Sequence, residues 1–243
     1  MKKIYFVIAA AAMMMAGCEK QAENEKVVDG INSFELNIQG FSDASGAKTH
    51  WNDAGLWWDE DGNDFLVING ESFQVIKDGN TWKAKSVSGN GVNHDNGSYY
   101  VAYPSTDGAS YDKENHTYGK VLFDGKTIPL AAVTTSNSIT LYPCCAVIKG
   151  AYSVGFYSDS ERNPGCSGEI YTDAYINTSN ATLVGGTPMD MEGWINTLED
   201  EDGDGYIIIP LSGNSVTAFL DVDGNMTSHA VTLQKGHIYV IGN

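Results

Sequence analysis

The sequence predicts an all-β protein, and three observations carry that prediction. Apolar and polar residues alternate with a period of two along many short runs. Turn-forming pairs separate the runs, including eight Asp-Gly pairs such as Asp78-Gly79, Asp124-Gly125 and Asp223-Gly224. Asp-Gly suits tight hairpins, where both central residues take positive φ. No stretch sustains a helical period with caps at both ends.

Taken in order, the chain opens with Met1-Lys2-Lys3, an uncharged apolar run over residues 4–15, and Ala16-Gly17 before Cys18. Such a run is too short to span a bilayer but fits the apolar part of a signal peptide. Small residues before a cysteine form a lipobox. The expectation is a lipoprotein signal peptide over residues 1–17, fatty acylation of Cys18 (palmitate among the chains) and anchoring at the outer membrane, exposed on the surface. An ordinary secretory signal with an incidental cysteine is the plainer alternative. Residues 18–32 are polar and charged, without apolar periodicity, and read as a tether.

The first strand follows the tether. Phe34, Leu36 and Ile38 alternate with Glu35, Asn37 and Gln39. The alternation returns around Trp82 and Ala84, at Tyr99-Val101-Tyr103, Val121-Phe123 and Ile139-Leu141, then at Val216-Ala218-Leu220-Val222 and Ile238-Val240. A dozen or more short strands exceed one seven-stranded sandwich, which predicts two β-sandwiches in series. Their spans are residues 33–136 and 137–243, divided in the polar stretch 134–138. Of the 243 residues 42% are hydrophobic and 11% aromatic, enough to bury a core. The net charge of −17 argues against nucleic acid and anionic lipid headgroups as partners, since both would repel the chain.

Several features together resemble the fimbrillin-like lipoproteins, the fimbrial subunits of Bacteroidales. Phe34 on the first strand is followed by Lys48-Thr49, Trp57-Trp58, an acidic turn ending in Asp64, and Phe65-Leu66-Val67-Ile68. Tyr99-Tyr100-Val101-Ala102-Tyr103-Pro104 is similar to the family's tyrosine-rich strand ending in Tyr-Pro. Residues 204–210 and 235–240 are similar to its closing strands. The resemblance implies two tandem transthyretin-like β-sandwich domains. It also implies donor-strand polymerisation, in which proteolysis removes an N-terminal segment and a neighbour's strand fills the groove. Two departures stand out: Arg162 is the sole arginine, leaving Lys26 as the nearest basic residue for cleavage, and the sequence reaches Asn243 directly after its last strand. Both suit an accessory, tip or anchor component better than a shaft subunit, or a relative that does not polymerise.

Candidate chemistry is sparse. Cys144, Cys145 and Cys166 include one bridged pair in an oxidising compartment, Cys166 with one of the adjacent two, or are three buried thiols. Asp200, Asp202 and Asp204 before Gly205 match the first half of a calcium loop, but Leu211 stands where a bidentate Glu belongs. An acidic hairpin turn explains them as well. Asp59, Asp61 and Asn63 repeat the pattern more weakly. Calcium is the only cofactor these residues invite. The five histidines show no paired spacing, and neither a nucleophile elbow nor a phosphate loop is present, so no catalysis is expected.

The expected function is therefore fimbria assembly or cell adhesion. The partners would be other fimbrial subunits, joined by β-strand complementation, and a host or bacterial surface ligand. The alternative is a glycan-binding surface lipoprotein, with an aromatic platform drawn from Trp51, Trp57, Trp58, Trp82, Trp194 and the tyrosines. Core or sheet packing is the ordinary use of such residues.

Overall fold

A computed structural model describes residues 30–39, 42–43, 58, 64–105, 111–122, 127–163, 170–188, 195–196, 198–199 and 205–240. Every regular element among them is a strand, as the alternation predicts. Strand β1 (Ser33–Ile38) and the short β2 (Ser42–Asp43) precede β3 (Phe65–Ile68), β4 (Glu71–Asp78), β5 (Thr81–Ser86) and β6 (Tyr99–Tyr103). The hairpin β7 (Tyr111–Asp112) and β8 (Thr117–Leu122) leads to β9 (Leu130–Thr134), β10 (Ser138–Pro143), β11 (Ala146–Lys149) and β12 (Ser153–Tyr157). Next come β13 (Tyr171–Asn177), β14 (Thr182–Pro188), β15 (Ile195–Asn196), β16 (Leu198–Glu199) and β17 (Gly205–Ile209). The last are β18 (Ser215–Val222), β19 (Asn225–Met226), β20 (Val231–Gln234) and β21 (His237–Val240).

Seven strands close into a barrel in the order β1-β10-β9-β6-β3-β4-β5. All neighbours run antiparallel except β1 and β10, which are parallel. The apolar members of each alternation point inward: Phe34, Leu36, Leu66, Ile68, Phe73, Val75, Val101, Ile139 and Leu141 form one buried cluster. Closure departs from the sandwich expected over residues 33–136, because β10 joins the barrel from beyond that divide. Ile139 and Leu141 need the same interior as Phe34, and β1 supplies the hydrogen-bonding edge that β10 lacks.

The second half is layered against the barrel. One sheet runs β16-β17-β11-β21-β2, and another runs β15-β12-β18-β19 with β20 also on β18. Strands β11 and β17 have both faces buried, so Ala146-Val147-Ile148 and Ile207-Ile208-Ile209 are continuous apolar runs. Val147 and Ile208 face the barrel cluster, while Ala146, Ile148, Ile207 and Ile209 pack with Val216, Ala218 and Leu220 of β18.

A four-stranded sheet, β14-β13-β8-β7, draws strands from both halves of the chain. Ala174 pairs with Val121, and Ile176 with Tyr118. This sheet covers the outer wall of the barrel, where Val67, Ala102 and Ala131 meet Tyr118, Ala174 and Ile176. The small side chains of Ala102 and Ala131 let the two layers approach closely. Strands from both halves of the chain thus share one sheet.

The entry to β1 is pinned by backbone hydrogen bonds as well as by Ile31, which packs against the barrel cluster. Ile31 and Val92 form an isolated antiparallel bridge, with N–H···O bonds of 2.9 Å in both directions. The chains approach so closely that a Cβ on Gly91 would lie 2.5 Å from the Gly30 oxygen, and Gly91 has φ +69°. Gly91→Ala is expected to lower stability by about 2–3 kcal/mol, since steric overlap adds to left-handed strain. Urea unfolding checks this. An unchanged midpoint would mean that β1 is not held at this bridge.

Candidate functional site

Strand β1 is the candidate site, because it fills a slot between two strands distant in sequence. On one side Phe34 and Leu36 pair antiparallel with Ala84 and Trp82. On the other side Leu36 and Ile38 pair in parallel with Ile139 and Leu141. Glu35 N donates to Asn137 O at 2.9 Å, Gln39 N to Leu141 O at 2.8 Å, and Ser86 N to Asn32 O at 2.9 Å. Two side chains plug the slot. Phe34 is 1% exposed and meets the edges of Phe73 and Tyr99, at centroid separations of 5.6 and 4.8 Å. Leu36 is 4% exposed, whereas Glu35 and Asn37 face solvent.

The same segment continues to a second sheet. In β2, Ser42 and Asp43 pair in parallel with His237 and Ile238 of β21, at the edge of that sheet. Strands β1 and β2 thus complete the barrel and cap the outer edge of β21. Without them, β5 and β10 would each present unpaired N–H and C=O groups beside an apolar hole. That arrangement fits strand addition: main-chain groups supply affinity, and alternate pockets for Phe34 and Leu36 supply register.

A cleft of about 340 Å³ opens beside the end of β1, where the barrel meets the β13–β14 and β20–β21 turns. Gln39, Val133, Tyr142, Thr178, Asn180 and Lys235 are among its lining residues. Tyr142 is an outward position of β10, 48% exposed, and Val133 beside it is 46% exposed. The Lys235 ammonium donates to the carbonyl of Asn180 and, at 3.0 Å, to that of Ala181. Desolvation holds its pKa below the usual lysine range. The alternation marked Tyr142 as outward, but the sequence carried no sign that Lys235, 93 residues further on, would face the same cleft.

The sequence-predicted residues fall elsewhere. Trp58 is buried, edge-on to Tyr103 at 4.9 Å, and Trp82 is half-buried beneath the Lys77 ammonium at 5.6 Å. Both described tryptophans thus serve packing, and Trp51, Trp57 and Trp194 lie outside the described residues. Cys144 and Cys145 are fully buried free thiols. Burial pushes the Cys144 thiol up to about 12 and raises Cys145 well above the usual thiol range, so neither is a nucleophile at neutral pH. Cys18, Cys166, the acidic trio Asp200, Asp202 and Asp204, and the weaker group Asp59, Asp61 and Asn63 lie outside the described residues. Among the described residues, no group of three His, Cys, Asp or Glu side chains is placed to hold a metal ion.

Histidine serves packing where it meets the barrel wall. His116 stacks on Tyr100 at 3.7 Å and bonds through Nδ1 to the Tyr111 hydroxyl, which also donates to Asp95 at 2.8 Å. Burial and the Asp95 carboxylate raise the Tyr111 phenol above its usual range, keeping it neutral.

No protein-family model matches the chain, and no curated protein matches it. Among solved structures, the chain is similar to a Bacteroides uniformis protein provisionally named for cell adhesion. The identity is 13% and the TM-score 0.45, over 88% of this chain and 93% of that one. It is also similar to a fimbrial protein from Bacteroides ovatus, with 12% identity and a TM-score of 0.35, over 86% of this chain. The match spans about half of that second protein, 48% of its length.

Proposed function

We propose that the chain is a fimbrillin-like surface lipoprotein that joins neighbouring subunits by strand complementation and acts in adhesion without a catalytic step. The observation that carries the reading is β1 itself, an alternating strand seated between β5 and β10 with Phe34 and Leu36 as plugs. A strand from another subunit, with apolar residues at the same spacing, satisfies the same donors, acceptors and pockets. The lipobox at Cys18 and the order of motifs from Phe34 to Tyr103-Pro104 support the same reading. On this proposal the protein sits at the outer membrane, anchored by lipid, as an accessory, tip or anchor component. In this reading the two halves are transthyretin-like domains whose edges exchange strands.

The test is a chain lacking residues 19–41. It is expected to form oligomers at high concentration, and a synthetic peptide of residues 31–39 is expected to disperse them to monomer. A truncated chain that remains a folded monomer and ignores the peptide would sink the mechanism.

A further inference from the structure

We infer that the cleft between the barrel and the second half binds a carboxylate-bearing sugar, a single uronic-acid-type residue. Its volume of about 340 Å³ sits at the low end of ligand pockets, which run roughly 300–1,000 Å³, the scale of one sugar unit rather than a long glycan. Three features set the ligand class. The first is charge. Among the described residues Lys235 is the only charged side chain lining the cleft, in a chain of net charge −17.

Two carbonyls hold the Lys235 ammonium, and no carboxylate among the described residues pairs with it. An ammonium has three N–H donors, so one remains for an anion. Partial burial strengthens that attraction relative to a fully solvated lysine.

The second feature is the aromatic wall. Tyr142 and Val133 project from neighbouring barrel strands and stay about half exposed, which gives the apolar face of a pyranose a surface to cover. Among the described residues the Tyr142 hydroxyl has no partner, and it can donate to or accept from a sugar hydroxyl. The third is a set of short polar groups. The Asn180 side-chain oxygen accepts from Thr182 at 2.5 Å, which leaves its amide nitrogen as a donor, and the Gln39 amide is exposed beside it. Together these offer one cation, one ring and several donors and acceptors. That is the recognition set of a sugar acid rather than of an aliphatic or cationic ligand.

Tyr142, Asn180 and Lys235 lie on elements other than β1, so of the groups named only Gln39 belongs to the segment that strand exchange would displace. Calorimetry or ligand-observed NMR on the full chain, with glucuronate as probe, tests it. Glucuronate is expected to bind at least 10-fold more tightly than glucose, glucuronate methyl ester or acetate. Lys235→Met is expected to erase the preference for the acid. Tyr142→Ala, at an exposed position that leaves the core intact, is expected to weaken glucuronate binding about 10-fold, consistent with losing one ring contact. Three results would overturn the inference: no glucuronate binding by the unaltered chain, acetate binding as tightly as glucuronate, or glucuronate binding unchanged in Tyr142→Ala.

Discussion

Phe34→Ala is expected to destabilise the protein by about 3–5 kcal/mol, the range for emptying a buried phenylalanine site. The side chain is 1% exposed and wedged edge-on between Phe73 and Tyr99, both on rigid barrel strands. Those neighbours cannot collapse into the hole without breaking the β3–β4 and β6–β9 ladders, so the cost should approach the upper part of the range. The same change weakens the grip of β1 on its slot. Self-association should therefore rise as stability falls, with the excess oligomer reversed by the peptide of residues 31–39. Urea unfolding with sedimentation velocity reads both. A large loss of stability in a chain that stays monomeric would make Phe34 a core residue only, and strand exchange would lose its main support.

Arg162→Ala should cost about 3 kcal/mol, at the low end of the range for stripping a buried ion of its partner. Nε and Nη2 of Arg162 both reach Asp221 Oδ2 at 2.6 Å, and Nη2 also donates to the Gly224 carbonyl at 3.3 Å. The Asp221 side chain is 2% exposed, but the arginine side chain is 50% exposed, which is why the low end applies. Asp221 Oδ1 has no partner among the described residues, so the carboxylate is already under-satisfied before the arginine is removed. Pairing Arg162→Met with Asp221→Leu should restore stability to within about 1 kcal/mol of the natural chain, since apolar packing can replace a buried pair. Should the double variant be as unstable as Arg162→Ala alone, the defect would lie in the loop before β13 and not in the orphaned charge.

Much of this fold was legible in the alternation. Phe34 and Leu36 read as inward positions and are inward. Val216, Ala218 and Leu220 read as one face of a strand and form one face of a core. The run Ile207-Ile208-Ile209 lies within a stretch that reads as a strand and is one, with both faces buried. What was not legible is pairing over distance. Nothing near Glu35 announces Ser138, nothing near Val121 announces Ala174, and nothing near Arg162 announces Asp221. A period of two fixes which face a residue takes, not which strand lies beside it. A polar turn before β10 looks the same whether the next strand leaves the barrel or closes it, so the stretch near residue 136 does not announce the pairing of β10 with β1. The cleft was hidden likewise, since Tyr142 and Lys235 become neighbours only when β10 and the β20–β21 turn are brought together.

The parallel pairing of β1 with β10 also dictates an order of events. Residues 33–38 are among the first of this segment to emerge during synthesis, yet their partner at residues 138–141 comes about a hundred residues later, and the edge met by β2 at His237 later still. Closing so long a loop costs entropy that only the finished contacts repay. Strand β1 must therefore wait, apolar face open, until residues 138–141 have been made and the slot exists to receive it. Until then Phe34 and Leu36 have no slot to fill.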